Sequence, residues 1–431
     1  MKTQKNSLKS NYDNAIEYLK TSPMFNLSLS SKELFHSNFL YWIYLYDKSY
    51  FKELVGKLGA DTSSWGNDND WVLKREYNNF DLCVIKYETR FGKRNKEKKN
   101  KKDNLLLVIE NKIKSIPTLE QLKNYNKKIC DKFKNCEPEK ILLSLTESEI
   151  SVEGWRYVSY EPICEWLQVL LLKLDTQYER ELINDYAKFV KALITLTEEW
   201  KEDAEDDNDI FLLDYTVREC KNEVDGQTDA IPTVQLSNEN PKKYQQAREL
   251  RIHDLYGKYR TTILKEKLKG IIDSKRFKTK LDITPQIAYS NSLPILEIMI
   301  KGIGENKDEV KKMEAEAFFI SIQGNQYRHA INARDEGNSI KEKRVNESVT
   351  KCETTTDWHW FMNPKKSPNE NGCFSDKLSR SGQRNDFCSF AGIGGVNYIY
   401  QYKKISPTAK VGEILDIMVA DVENIIEKFN K

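Results

Sequence analysis

The chain has 431 residues, of which 39% are hydrophobic and 31% charged, with 22 Tyr and 17 Phe; this excludes a disordered polymer and predicts roughly two to three domains. The formal net charge of +2 hides one strongly basic and one strongly acidic run, so partners are read from patches and not from the overall balance. Eight Cys without a CxxC pair and only four His argue against a structural zinc, a polar stretch from Met1 to Ser10 and no run near ~20 apolar residues argue against a membrane span, and a soluble cytoplasmic protein is expected.

Residues 33 to 46 carry apolar side chains at 35, 39, 42, 43 and 46, a helical period preceded by Ser30 and Ser31 as cap candidates, which predicts a helix from about position 31. Two β-prone segments, 71 to 77 and 80 to 88, flank Asn78-Asn79 and predict a hairpin with its tight turn there. On the second of these strands Asp81, Cys83, Ile85 and Tyr87 share a face. Residues 90 to 102 hold Arg90, Lys93, Arg94, Lys96, Lys98, Lys99, Lys101 and Lys102 against the single acid Glu97, a self-repelling run expected to be a solvated loop.

A buried strand follows at 105 to 111, then a helix over about 118 to 132 opened by Pro117 and Thr118. Further along come a short apolar strand at Ile141 to Leu145, an edge strand at Trp155 to Ser159, a helix from Glu161 to Leu174 and another over about 177 to 200. That order predicts an α/β domain, a mixed sheet flanked by helices, over residues 1–200. The acidic stretch Glu198 to Asp209 suggests a linker at 201–210. Residues 211–431 are expected to form a separate α+β C-terminal domain, with a helix at about 241 to 272, strands at 293 to 300, 316 to 323 and 397 to 405, a polar tract from 335 to 395 and a closing helix from about 410 to 429.

The chemistry concentrates in Leu105-Leu106-Leu107-Val108-Ile109-Glu110-Asn111-Lys112, where an apolar run ends in a carboxylate and an amine two residues apart. In an extended strand Glu110 and Lys112 point the same way and Asn111 points oppositely, leaving its carbonyl near Glu110. Phosphodiester hydrolysis needs an activated water, charge neutralisation and leaving-group stabilisation, all of which Mg²⁺ can supply through carboxylates, carbonyls and water. Asp81 and Glu110 offer the carboxylates, the Asn111 carbonyl a neutral oxygen, and Lys112 a group to orient the water. Taken alone, a Glu-x-Lys at a strand end reads as a surface ion pair worth under ~1 kcal/mol. Its conjunction with Asp81 and with the helix residues Gln121 and Tyr125 points to a metal site instead.

With Phe80-Asp81 on one strand and Glu110-Asn111-Lys112 on the next, the sequence resembles the PD-(D/E)XK nuclease superfamily, although Phe80 stands where the name has proline. Gln121 and Tyr125, four apart on one helix face, are similar to the Gln-xxx-Tyr motif of RecB-like members, which implies contact near the metal and the substrate phosphate. Upstream, Glu33-Leu-Phe-His36-Ser37-Asn-Phe-Leu-Tyr-Trp resembles the first helix of an uncharacterised bacterial branch, whose Glu is expected to reach the metal. Ser30-Ser31-Lys32-Glu33 equally fits a capping box, and His36 reads best as a packed, hydrogen-bonded histidine.

The resemblance covers about residues 25 to 175. It implies a restriction-endonuclease-like fold and a Mg²⁺- or Mn²⁺-dependent hydrolase leaving a 5′-phosphate and a 3′-hydroxyl. Members often serve restriction, repair or defence against phage, so a bacterial anti-phage role is expected by analogy. DNA is the expected partner, with RNA and a homo-oligomer left open. Lys93, Arg94, Lys98, Lys99, Lys101 and Lys102 could lie along its backbone, and Trp358-His359-Trp360-Phe361, Arg380, Arg384 and Gly392 to Gly395 could stack bases and contact phosphates. The competing readings are a non-cleaving nucleic-acid-binding scaffold and a ligand-gated effector. No GxxxxGK[ST], HExxH or GxSxG motif supports a P-loop motor, a zincin or a serine hydrolase.

Overall fold

The computed structural model describes residues 2–29, 33–88, 102–133, 136–146, 152–212, 239–290, 293–302, 316–333, 373–379, 388–391 and 397–429. They fall into two compact units: the first holds residues up to Glu199 together with Glu249–Leu255, the second Trp200–Arg248 and Tyr256 onward. Among the described residues no helix is long and apolar enough to cross a membrane. The basic run 90–101, the cap candidates Ser30 and Ser31, the aromatic cluster at 358–361, Arg380, Arg384 and Gly392 to Gly395 all lie outside the described residues.

The first unit opens with helices α1 (Lys2–Thr21), α2 (Pro23–Ser28), α3 (Glu33–Tyr46) and α4 (Lys48–Lys57). Five strands follow in spatial order β1-β2-β3-β4-β5: β1 (Trp71–Tyr77), β2 (Phe80–Glu88), β3 (Lys102–Lys112), β4 (Glu139–Ser144) and β5 (Trp155–Val158). β1, β2 and β3 pair antiparallel, whereas β3, β4 and β5 run parallel. Helix α5 (Leu119–Lys132) forms the crossover that a parallel β3–β4 pair requires, and α6 (Glu161–Leu171) and α7 (Gln177–Glu205) follow. The expected mixed sheet flanked by helices is therefore present.

Local chemistry explains the elements that matter for the site. Asn78 and Asn79 have φ of 56° and 68°, the doubly left-handed pattern of a two-residue hairpin turn, which Asn tolerates better than other non-Gly residues. Leu105, Leu107, Val108 and Ile109 are all at most 1% exposed, as a strand covered on both faces demands. The β2–β3 register steps from Val84↔Leu107 to Ile85↔Leu105, making Leu106 an extra, bulged residue. On one face Cys83, Ile85, Leu105 and Val108 pack with Leu122, Tyr125 and Ile129 of α5. Helix α3 lies against β1, β2 and β3.

One predicted face is rotated. Helix α3 buries His36, Ser37, Phe39, Leu40, Ile43 and Tyr44, whereas Tyr46 is 40% exposed and Phe35 and Trp42 are half-buried. Almost every position from 34 to 46 is apolar or aromatic, so period alone cannot choose the face, and the polar partners of His36 and Ser37 decide it.

The second unit contains α8 (Glu239–Glu249, its last residue counted with the first unit), α9 (His253–Lys275), α10 (Val411–Phe429) and an antiparallel sheet of order β10-β12-β9-β8-β7-β6, with β11 on β12. Its strands are β6 (Leu281–Ser290), β7 (Leu293–Gly302), β8 (Glu316–Gln323), β9 (Gln326–Ala333), β10 (Phe374–Ser379), β11 (Cys388–Ala391) and β12 (Asn397–Ile405). Leu296, Ile298, Ile300, Ile320 and Ile322 form a core with Leu264 and Leu268 of α9 and Ile414, Leu415, Met418 and Val422 of α10.

Here the sequence reading is corrected in two places. The single helix expected over 241 to 272 is broken between Glu249 and His253, where Arg251 adopts φ 58°, outside any right-handed helix. Strands β6, β9, β10 and β11 are not predicted: Pro285 and Gln286 in the first and Arg328, His329 and Asn332 in the second interrupt the apolar pattern, and the last two lie inside the tract from 335 to 395 expected to be polar. The acidic stretch carries α7 on to Glu205, and the acids from Asp203 onward, which count with the second unit, are answered by cations of that unit: Lys243 at 2.8 Å from Asp203, Lys267 at 2.6 Å from Asp207 and Arg260 at 2.9 Å from Asp209.

Candidate active site

The register Leu82↔Ile109 sets Asp81, near the start of β2, beside Glu110, near the end of β3. Leu145 donates its N–H to the Lys112 carbonyl at 2.8 Å, so Glu110 and Lys112 turn their main-chain groups toward β4 and Asn111 turns its own toward β2. The Asn111 N–H accordingly donates to Asp81 Oδ2 at 2.8 Å. Because N–H and C=O of one extended residue face the same way, the Asn111 carbonyl lies on the Asp81 side.

On the α5 face the side chains converge. Lys112 Nζ donates to Glu110 Oε1 at 2.6 Å, and Gln121 Nε2 donates to the same oxygen at 2.7 Å and to the Tyr125 hydroxyl at 3.0 Å. Thr118 caps α5 by accepting the Gln121 N–H at 3.4 Å, which fixes where the helix starts and puts Gln121 and Tyr125 one turn apart over Glu110. Glu110 is 1% exposed and Lys112 12%.

The opposite face holds a second network that the sequence did not reveal. Tyr160 donates to Asn111 Oδ1, while Asn111 Nδ2 donates to Ser37 Oγ at 3.3 Å and to the Glu33 carbonyl at 3.4 Å. Asn111 is fully buried, and a buried amide must find such partners. Strand alternation directs the Asn111 side chain to this face, but nothing in sequence indicates Tyr160, which sits before α6. His36 is also fully buried, with Nδ1 3.0 Å from the Tyr186 hydroxyl; burial and the Lys114 charge hold its pKa well below the usual histidine range.

Electrostatics mark an excess of negative charge. Burial pushes the Asp81 carboxyl up, the charges of Glu33 and Glu76 add to that, and the Asn111 N–H and Lys112 oppose it. Glu110 is raised to about 7 by burial and then by the Asp81 charge. Burial and Glu110 likewise raise the Tyr125 phenol. Two buried carboxylate oxygens, Glu110 Oε2 and Glu33 Oε1, have no hydrogen-bond partner, a cost of ~1–3 kcal/mol or more for each if left so.

These features fit a hard divalent cation with few protein ligands and several waters, held by Asp81, Glu110 and the Asn111 carbonyl with Glu33 alongside. Among the described residues no group of three or more His, Cys, Asp or Glu side chains gathers closely enough to hold a metal by itself. As placed, Glu33 therefore does not join Asp81 and Glu110 in a three-carboxylate cluster. Two clefts adjoin the site. One of about 550 Å³ runs along α5 past Gln121, Asn124, Tyr125 and Lys128; the other, about 400 Å³, lies between α3 and β1 and is lined by Leu34, Asn38, Tyr41 and Arg75.

Lys93, Arg94, Lys98, Lys99 and Lys101 are outside the described residues, and Lys102 is the first residue of β3. Residues 24–234 match the family model of the PD-(D/E)XK nuclease superfamily. No curated protein and no solved structure matched the chain.

Proposed function

We propose that residues 24–234, which carry the PD-(D/E)XK nuclease superfamily match, hydrolyse DNA phosphodiester bonds with the help of Mg²⁺ or Mn²⁺. The observation that carries this reading is the convergence of Lys112, Gln121 and the Asp81 charge on the Glu110 carboxylate, whose other buried oxygen, Oε2, has no hydrogen-bond partner. Asp81, Glu110 and the Asn111 carbonyl would hold the cation, with Glu33 as a further carboxylate. Bound there, such an ion lowers the pKa of an attacking water and neutralises charge on the phosphate.

The chain's own groups have distinct tasks in this reading. Gln121 and Lys112 occupy Glu110 Oε1 and so leave Oε2 for the site. Lys112, only 12% exposed and paired with Glu110, would orient the attacking water through its ammonium. Attack at phosphorus breaks the bond to the 3′ oxygen, giving a 5′-phosphate and a 3′-hydroxyl. Tyr125, tied to Gln121, is among the residues lining the α5 cleft, where the flanking phosphate would pass. A role in restricting phage DNA follows from superfamily analogy only.

The test incubates plasmid and linear DNA, with an RNA control, in Mg²⁺, Mn²⁺ or EDTA. Cleavage is expected with either metal and none with EDTA. Glu110→Ala and Lys112→Ala should each lower the rate by ~100-fold or more, the scale seen when a group stabilising the transition state is removed. Equal degradation by parent and variants would end the assignment.

A further inference from the structure

We propose that the cleft between α3 and β1 binds the substrate strand beside the cutting site, with Arg75 receiving a backbone phosphate; this rests on the nuclease reading above. The cleft encloses about 400 Å³, and two of its lining residues lead directly to the acidic centre. Leu34 follows Glu33 on α3. Glu76 stands between the ladder pairs Arg75↔Leu82 and Tyr77↔Phe80, which puts it opposite Asp81, whose carboxyl feels its charge.

Arg75 is an exposed cation prepared for an anion. Its guanidinium carbon lies 4.4 Å from the centre of the Tyr41 ring, and its Nη1 donates to Asn38 Oδ1. Stacking and a single hydrogen bond fix the plane of the fork while leaving most of its five N–H donors for a ligand. Among the described residues it makes no ion pair, whereas Lys112, Arg156 and Lys173 of the same unit each pair with a carboxylate. Neighbouring Lys74 also lines the cleft, but its ammonium is engaged by the Tyr77 ring, 4.2 Å from the ring centre. The Glu76 end of the cleft repels phosphate, so the anion belongs at Arg75, where the fork can bind it bidentately.

A phosphate contact leaves a signature that a merely structural arginine lacks: each one adds ~0.7 to ~0.9 to the slope of log affinity against log salt. The full chain is titrated with fluorescent oligonucleotide in Ca²⁺ at several salt concentrations, beside R75Q, R75K and N38A, with thermal melting of each. For R75Q a loss of ~10-fold in affinity and a slope reduced by ~0.7–0.9 are expected at unchanged melting temperature. R75K and N38A, which keep the charge but loosen the fork, should keep the parent slope and lose affinity, so a melting defect in R75Q would not remove the test. Should the parent cut DNA while R75Q matches it in affinity and slope, the cleft proposal falls alone. A parent that neither binds nor cuts DNA overturns the nuclease reading, and the cleft's role with it.

Discussion

At the residue scale the site turns on Asn111, the middle member of Glu-Asn-Lys. Its N–H holds Asp81, its side chain holds the first turn of α3 and Tyr160, and its chain neighbours are the carboxylate and the amine. Removing the Tyr160 hydroxyl leaves Asn111 Oδ1 buried without that donor, so Tyr160→Phe is expected to cost ~1–3 kcal/mol in urea unfolding and to weaken Mn²⁺ binding measured by calorimetry. Unchanged Mn²⁺ affinity would reduce Tyr160 to a packing residue. Glu110 makes a pH prediction of known sign. With its carboxyl raised to about 7, the proton is retained below that pH, and a cation must displace it. Affinity for Mn²⁺ should therefore climb with pH by up to ~10-fold per unit below about 7 and level off above; a flat profile from pH 5.5 to 7.5 would contradict the assignment of Glu110. Asp81, Glu110, Lys112, Gln121 and Tyr125 could be grouped from sequence because strand alternation and helix spacing are local rules. Tyr160 could not, since only the approach of α6 brings it to Asn111.

At the scale of elements, the legible parts are those whose local chemistry agrees with their environment. The β1–β2 hairpin was predicted from Asn78-Asn79, and β3 from an unbroken apolar run, because the turn and the burial each use residues of the matching type. Asn79 at φ 68° tests the turn directly. Asn79→Gly should be neutral or stabilising by up to ~1 kcal/mol, while Asn79→Val, a β-branched residue forced into a left-handed conformation, should cost ~1–2 kcal/mol in chemical denaturation. Equal stability of the two variants would mean that the turn is not constrained as described. Strands β6 and β9 were illegible for the converse reason. Pro285 lies within β6, which is the end strand of its sheet and can do without one ladder donor, and in β9 the buried His329 has its partner, Asp421, far away in sequence, 2.8 Å from its Nε2. The face of α3 was misread because a helix apolar almost all round carries no periodic signal.

At the scale of the whole molecule, the chain contributes to its first unit twice. Residues 249–255 belong with that unit, although some fifty positions that count with the second unit precede them. Leu250, Ile252 and Leu255 are 3%, 3% and 2% exposed, and Glu249 lies 3.5 Å from Lys20 of α1. Deleting 211–431, the direct way to ask whether the C-terminal half selects the substrate, also removes these three side chains, each worth ~1.5–3 kcal/mol when fully buried. A fragment ending at residue 210 is thus expected to melt below the full chain and to lose activity for a reason unrelated to recognition. Ile252→Ala in the intact protein isolates the effect: a loss of ~2–5 kcal/mol is expected, with cleavage by the folded fraction unchanged in its substrate preference. If the fragment instead melts as the full chain does, and Ile252→Ala is silent, the return segment does not stabilise the first unit, and the deletion becomes a clean test of what the C-terminal half contributes.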